Sequence, residues 1–142
     1  MDIFSKTTTP TKIVTAMGEQ IYEVIGRTVG STTERHSVAH VVIPPGKFAR
    51  RHYHPEAEES YHVTRGTAWV ELDEEIRSLS AGESLLIPAG RPHKIANGSD
   101  EDLEFILVCV PAWHDANSIW LEDDDAAMRH GWRQGPVRPR NA

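Results

Sequence analysis

Three histidines and one glutamate in this chain have spacings on which metal chemistry can be built. In the run Arg50-Arg51-His52-Tyr53-His54-Pro55-Glu56-Ala57-Glu58-Glu59, His52 and His54 are separated by a single residue. Side chains on an extended strand alternate with period two, so both imidazoles project to one face and can hold the same ion. Pro55 to Glu58 then bends the chain, and Glu59 opens the next strand-forming run, from which its carboxylate can return beside the imidazoles. Glu58 is the rival for that place. His93 follows Pro88-Ala89-Gly90-Arg91-Pro92, a stiff turn suited to fixing a third imidazole. Three neutral imidazoles and a carboxylate suit one divalent transition metal, Fe(II), Mn(II), Ni(II) or Zn(II). Four ligands leave positions open in an octahedral shell.

The elements that must position these residues read as short strands. Apolar or alternating runs at 20–27, 36–43, 50–54, 59–65, 67–73, 75–79, 83–87, 93–96 and 103–110 are separated by turn residues such as Pro44-Pro45-Gly46, Gly66, Ala81-Gly82 and Asn97-Gly98-Ser99-Asp100. This pattern predicts an all-β antiparallel sandwich or small barrel. Sustained apolar spacing at three and four is missing from 36–112, which disfavours a helical core. One short helix is predicted at 123–132, where Asp123, Asp124 and Asp125 lead and Arg129 and His130 close, as the helix dipole prefers. Residues 1–12 and 135–142 are too polar and interrupted to bury much, and loose ends are expected there.

Composition removes several function classes. With 142 residues the chain supports one domain, 1–142, with its barrel at about 36–113. Fifteen Lys and Arg against 21 Asp and Glu give a net charge of -6, without the basic stripe that binds phosphate backbones, so no nucleic-acid partner is expected. Neither a spanning apolar segment nor a leader-like N-terminus is present, and the expectation is a soluble, cytoplasmic protein without a membrane partner. The single cysteine, Cys109, reads as a small buried hydrophobe rather than a nucleophile.

Two longer motifs extend the histidine pattern. Gly46, His52, His54, Glu59 and Gly66 stand at the spacing of the first cupin motif, and Gly82, Pro88, Gly90, His93 and Asn97 at that of the second. The chain resembles a small single-domain cupin over about 36–113, with both motifs complete and 15 residues, 67–81, between them. The resemblance implies a double-stranded β-helix of jelly-roll type, with added N-terminal strands and a short helical C-terminal tail. It also implies a metal held inside the barrel by His52, His54, Glu59 and His93. Dioxygenases, isomerases, epimerases, decarboxylases, lyases, storage proteins and sugar-sensing modules all share that fold, so the likeness alone names no reaction.

Other residues are placed by alternation. With Glu59 inward, Tyr61, Val63 and Arg65 share its face, and Tyr61 becomes a pocket residue and candidate catalytic group. His40 lies on the face of Val38 and Val42 and is the second candidate proton donor or orienter. Arg91 reads as a solvated turn residue and Asn97 as a turn cap. Trp113 and Trp120 read as core or interface packing in preference to the barrel mouth. His36, His62, His114 and His130 receive no role. The expected function is a metal-dependent enzyme acting on a small organic substrate, oxidative and dioxygenase-type before isomerase or lyase. A non-catalytic module binding a sugar or organic acid is the other reading. The terminal extensions, together with exposed sheet edges, predict a homodimer.

Overall fold

Alternation along the strands builds two facing antiparallel sheets. The computed structural model describes residues 1–9, 12–27 and 32–130. The first sheet runs in the order β1 (Lys12–Val14), β2 (Gln20–Ile25), β3 (Ser37–Ile43), β10 (Leu103–Val110), β5 (Glu58–Arg65), β8 (Ser84–Ile87). The second runs β11 (Ile119–Trp120), β4 (His52–Tyr53), β9 (His93–Asn97), β6 (Thr67–Leu72), β7 (Glu75–Ser80). Strand β3 shows how the sequence chooses a face: Ala39, Val41 and Ile43 are buried while Val38, His40 and Val42 are only half-buried. Across from it Leu103 and Phe105 of β10 are buried in register with Ile43 and Val41. From the other sheet Ala68, Val70, Leu79 and Ile95 complete one core between the layers.

The expected strands all appear, with small boundary differences, and the jelly-roll architecture is the one expected. Gly66 makes the tight connection from β5 to β6 at φ +79°, where a Cβ would also meet the Asp102 carbonyl oxygen at 2.9 Å. Asn97 caps the following turn as expected, donating from Nδ2 to the Ile43 and Glu101 carbonyls and accepting from the Ser99 amide.

Several local expectations are corrected. A bulge lets Glu104 pair with Arg65 and Phe105 with Val63, skipping Thr64, so Arg65 leaves the face of Glu59 and is solvent-exposed. Residues 5–9, expected to be loose, form a turn tied to the barrel by Lys6 to Glu104 at 2.9 Å and by Thr9 Oγ1 to the Glu23 carbonyl at 2.7 Å. The predicted helix is α1 (Asp124–His130), with Asp123 as its cap through Oδ1 to the Ala126 amide. The rest of that expectation, and the end at 135–142, lie outside the described residues. Among the described residues no helix is long and apolar enough to cross a membrane.

Candidate metal centre

His52 and His93 face each other directly across the antiparallel pair β4 and β9, which brings their ring centroids to 4.3 Å. His54 follows two residues after His52 and reaches the same centre, and Glu59 approaches from β5 of the opposite sheet. One ligand atom from each of the four lies within 4.8 Å of every other. The predicted quartet is therefore brought together between the sheets. Glu58, the rival to Glu59, is exposed on the other face of β5.

Backbone carbonyls fix all three rings. His52 Nδ1 lies 2.7 Å from the Arg50 oxygen, His54 Nδ1 2.7 Å from the Asn117 oxygen, and His93 Nδ1 2.9 Å from the Arg91 oxygen. A carbonyl accepts only, so each Nδ1 carries the hydrogen and donates, which leaves the Nε2 lone pair free for the centre. His93 Nε2 sits 3.0 Å from Glu59 Oε2. His54 Nε2 is 2.9 Å from Glu59 Oε1 but is not aligned for a hydrogen bond, so it is a buried nitrogen without a hydrogen-bond partner. Such an orphan is costly unless something else uses its lone pair. A divalent cation fits that role, with Glu59, 3% exposed, supplying negative charge. The four residues could hold one metal ion.

Burial and neighbouring charge set the protonation of this cluster. Burial acts to raise Glu59, but the imidazoles of His54 and His93 hold it well below the ordinary carboxylate range. His52 is pushed down to about 3, by burial first and by the His93 charge second. Burial opposes protonation of His54 too, yet the adjacent Glu59 carboxylate and the Asn117 carbonyl outweigh it and raise its pKa. In the metal-free protein these shifts oppose one another. The lowered Glu59 stabilises the fold above about pH 4.5 and loses that contribution as pH falls through its folded value. The lowered His52 also loses stability below about pH 6.5, where the unfolded chain takes a proton and the folded chain does not. The raised His54 stabilises below about pH 6.5 and loses its contribution as pH rises through its folded value.

A metal is held only by neutral imidazoles, so acidification should release it. The metal-loaded protein is expected to lose metal and Tm together between about pH 6.5 and 5. Thermal scans with and without chelator check this. Equal Tm values at neutral pH, in protein shown to start loaded, would refute it.

Beside the cluster lies a cavity of about 210 Å³ lined by residues including His52, His54, Glu59 and Tyr61. Tyr61 is buried on the face of Glu59, as alternation predicted, with its ring 6.1 Å from His93 and 5.0 Å from Phe105. Burial, then the charges of Glu59 and Glu19, raise its pKa well above 10. It stays a neutral hydroxyl and can donate but not act as a base. His40 does not join the site: β3 presents Ala39 to the cavity, and His40 turns to the opposite face between Tyr22 and Ile106. The physical reason is strand alternation: Ala39, Val41 and Ile43 take the inward positions, which leaves His40 on the other face with Val38 and Val42.

Cys109 is buried on the strand beside Glu59, and burial followed by the Glu59 charge pushes its thiol up to about 12, so it is a packing residue. Arg91 is an exposed turn residue paired with Asp73, as expected. Trp113 and Trp120 correct the packing expectation, because both line the cavity. The chain after β10 folds back over the barrel, where Glu122 accepts from the buried Lys94 at 2.7 Å and from the Arg51 amide at 2.8 Å. That anchor pairs Trp120 with His52 across β11 and β4, ring centroids 5.0 Å apart, with the Arg50 guanidinium 4.0 Å over the indole. Sequence reasoning also missed Glu19, a cavity residue from the loop between β1 and β2, which burial and the Glu59 charge push up to about 7. No local pattern around Glu19 marks it.

Residues 39–109, half of the chain, match the family model described as a cupin domain. The chain belongs to the cupin family. Among curated proteins this cupin is 37% identical over 84 residues to SchB of Streptomyces halstedii, covering 59% of each. It is 34% identical over 84 residues to a protein named polyketide synthase CurC of Streptomyces cyaneus, covering 59% of this chain and 53% of that one. The chain thus spans little more than half of these two relatives. Among solved structures, oxalate decarboxylase of Lactobacillus farciminis superposes with a TM-score of 0.68 at 26% identity, over 78% of this cupin and 33% of that chain. The residues that close the cavity at Glu19, Trp113 and Trp120 lie outside the matched domain.

Proposed function

We propose that this cupin is a metal-dependent enzyme that acts on a small organic substrate, with oxidative, dioxygenase-type chemistry. The observation that carries this is the juxtaposition of the His52-His54-Glu59-His93 cluster with a walled cavity. A transition metal bound there would supply a Lewis acid with open positions and, as Fe(II), the capacity to activate oxygen. The protein's own residues divide the remaining work. Backbone carbonyls of Arg50, Asn117 and Arg91 orient the imidazoles, Glu59 balances charge, and the neutral Tyr61 hydroxyl donates a hydrogen bond to a substrate oxygen. Apolar walls and indoles suit an organic substrate. The likeness to an oxalate decarboxylase favours carbon–carbon cleavage as the second reading.

The test needs no known substrate. Ferrous-loaded protein exposed to nitric oxide, an oxygen surrogate, should give the high-spin ferrous-nitrosyl EPR signal. Full iron occupancy without that signal would overturn the oxidative reading. Tyr61→Phe should keep metal content and fold while lowering kcat on any turned-over substrate by about tenfold or more, the range of a lost donor at a reacting centre. Unchanged kcat would return Tyr61 to a packing role.

The homodimer expected from the sequence is also proposed. Strand β1 is a sheet edge with Ile13 and Val14 exposed, and β8 at the other edge exposes Leu86. Light scattering at tens of micromolar should give twice the chain mass; a monomeric mass would refute it.

A further inference from the structure

What the cavity accepts is set by its lining beyond the four ligands. A dry apolar cavity of about 150 Å³ holds a benzene ring, so 210 Å³ admits one substituted ring. Ile21, Leu107 and the indoles of Trp113 and Trp120 form apolar walls that suit a flat, apolar body. Among the described residues no lysine or arginine lines the cavity, whereas Glu19, Glu23 and Asp115 do, in addition to Glu59. A dianion such as a dicarboxylate or phosphate finds no counter-charge there beyond the metal centre.

Glu19 is the carboxylate best placed to read a ligand. Its backbone is tied on both sides to Thr15, through the Thr15 amide to the Glu19 carbonyl at 2.9 Å and the Glu19 amide to Thr15 Oγ1 at 3.1 Å. The half-buried side chain is thereby held at the wall, and its carboxylate has no hydrogen-bond or ion-pair partner among the described residues. A partly desolvated acceptor without a donor is satisfied by a donor on whatever binds.

We propose that Glu19 sets the substrate class: a flat, apolar, uncharged molecule that presents one oxygen to the metal centre and a hydroxyl or amine hydrogen to Glu19. Molecules with a second negative group are turned away. The inference rests on the metal-centre reading for the first contact and adds the second. It gives the N-terminal hairpin, outside the matched cupin domain, the role of specificity element.

Calorimetric titration of zinc-loaded protein with two ring-matched probes, benzene-1,2-diol and benzene-1,2-dicarboxylate, at about pH 7.5 decides it. Zinc is redox-inert, so the diol is bound and not oxidised. The diol should bind at least about tenfold tighter than the dicarboxylate, and Glu19→Gln should shrink that ratio to about threefold or less with zinc content and Tm unchanged. Glu19→Ala repeats the measurement should Gln disturb the loop. A dicarboxylate bound as tightly as the diol by the unaltered protein, or a ratio that both variants leave unchanged, would overturn the proposal. The same titrations on chelator-stripped protein separate the two readings. Failure to retain zinc overturns the metal centre alone, while an unaltered ratio in the stripped variants overturns the role of Glu19.

Discussion

Replacing His93 with Ala should remove the metal and weaken the fold in one step. The ring is 1% exposed, directly opposite His52, and 3.0 Å from the buried carboxylate of Glu59. Losing a supporting residue outside a metal's own ligand set already costs about 10–100-fold in affinity, so losing a ligand should cost on the order of a hundredfold or more. The same change strips Glu59 of one of the two imidazoles that hold its pKa down. Leaving a buried polar group short of a partner costs about 1–3 kcal/mol, and the metal-free variant should show a loss of that order in chemical denaturation. Glu58→Ala is the control, because that side chain is exposed on the opposite face of β5 and should leave metal content and stability unchanged. Elemental analysis after dialysis reads the metal half. Full occupancy in His93→Ala would remove His93 from the ligand set, and loss of metal in Glu58→Ala would show that the register of β5 is wrong by one residue.

Phe105→Ala should be the most damaging change away from the metal. Phe105 is 2% exposed on β10, the strand that joins β3 to β5, and its ring packs 5.0 Å from Tyr61. Truncating a buried Phe removes its transfer free energy and leaves a cavity, together about 3–5 kcal/mol. For a chain of this size that is a fall in Tm of about 10 °C or more. Tyr61 would also lose its ring contact with Phe105, so turnover should fall along with stability. Thermal denaturation checks the first effect; a loss below about 1 kcal/mol would mean that the barrel collapses around the gap.

The metal ligands and the barrel were legible in the chain for a local reason. A period of two on short strands puts His52 and His54 on one face and Glu59 and Tyr61 on another, and turn residues mark where each strand stops, so spacing alone carries the information. The same rule put Glu58 on the opposite face from Glu59 and Cys109 on the face of Phe105 and Leu107. It misread Arg65, because a bulge at Thr64 resets the alternation and nothing in the residues announces it. It left His40 undecided, because alternation states which residues share a face but not which face meets the core. That choice was made by the inward packing of Ala39, Val41 and Ile43.

Only the tertiary structure decided what surrounds the metal centre. Glu19 reaches the cavity because β1 and β2 form a hairpin on the edge of the first sheet. Trp120 reaches it because Lys94 and Arg51 hold Glu122 and so return the tail across β4. The carbonyl that orients His54 belongs to Asn117, 63 residues further along the chain. The sequence by itself determined ligands, strands and turns, which depend on neighbours a few residues apart. Selectivity depends on contacts between segments far apart in the chain, and those exist only once the two sheets have closed on each other.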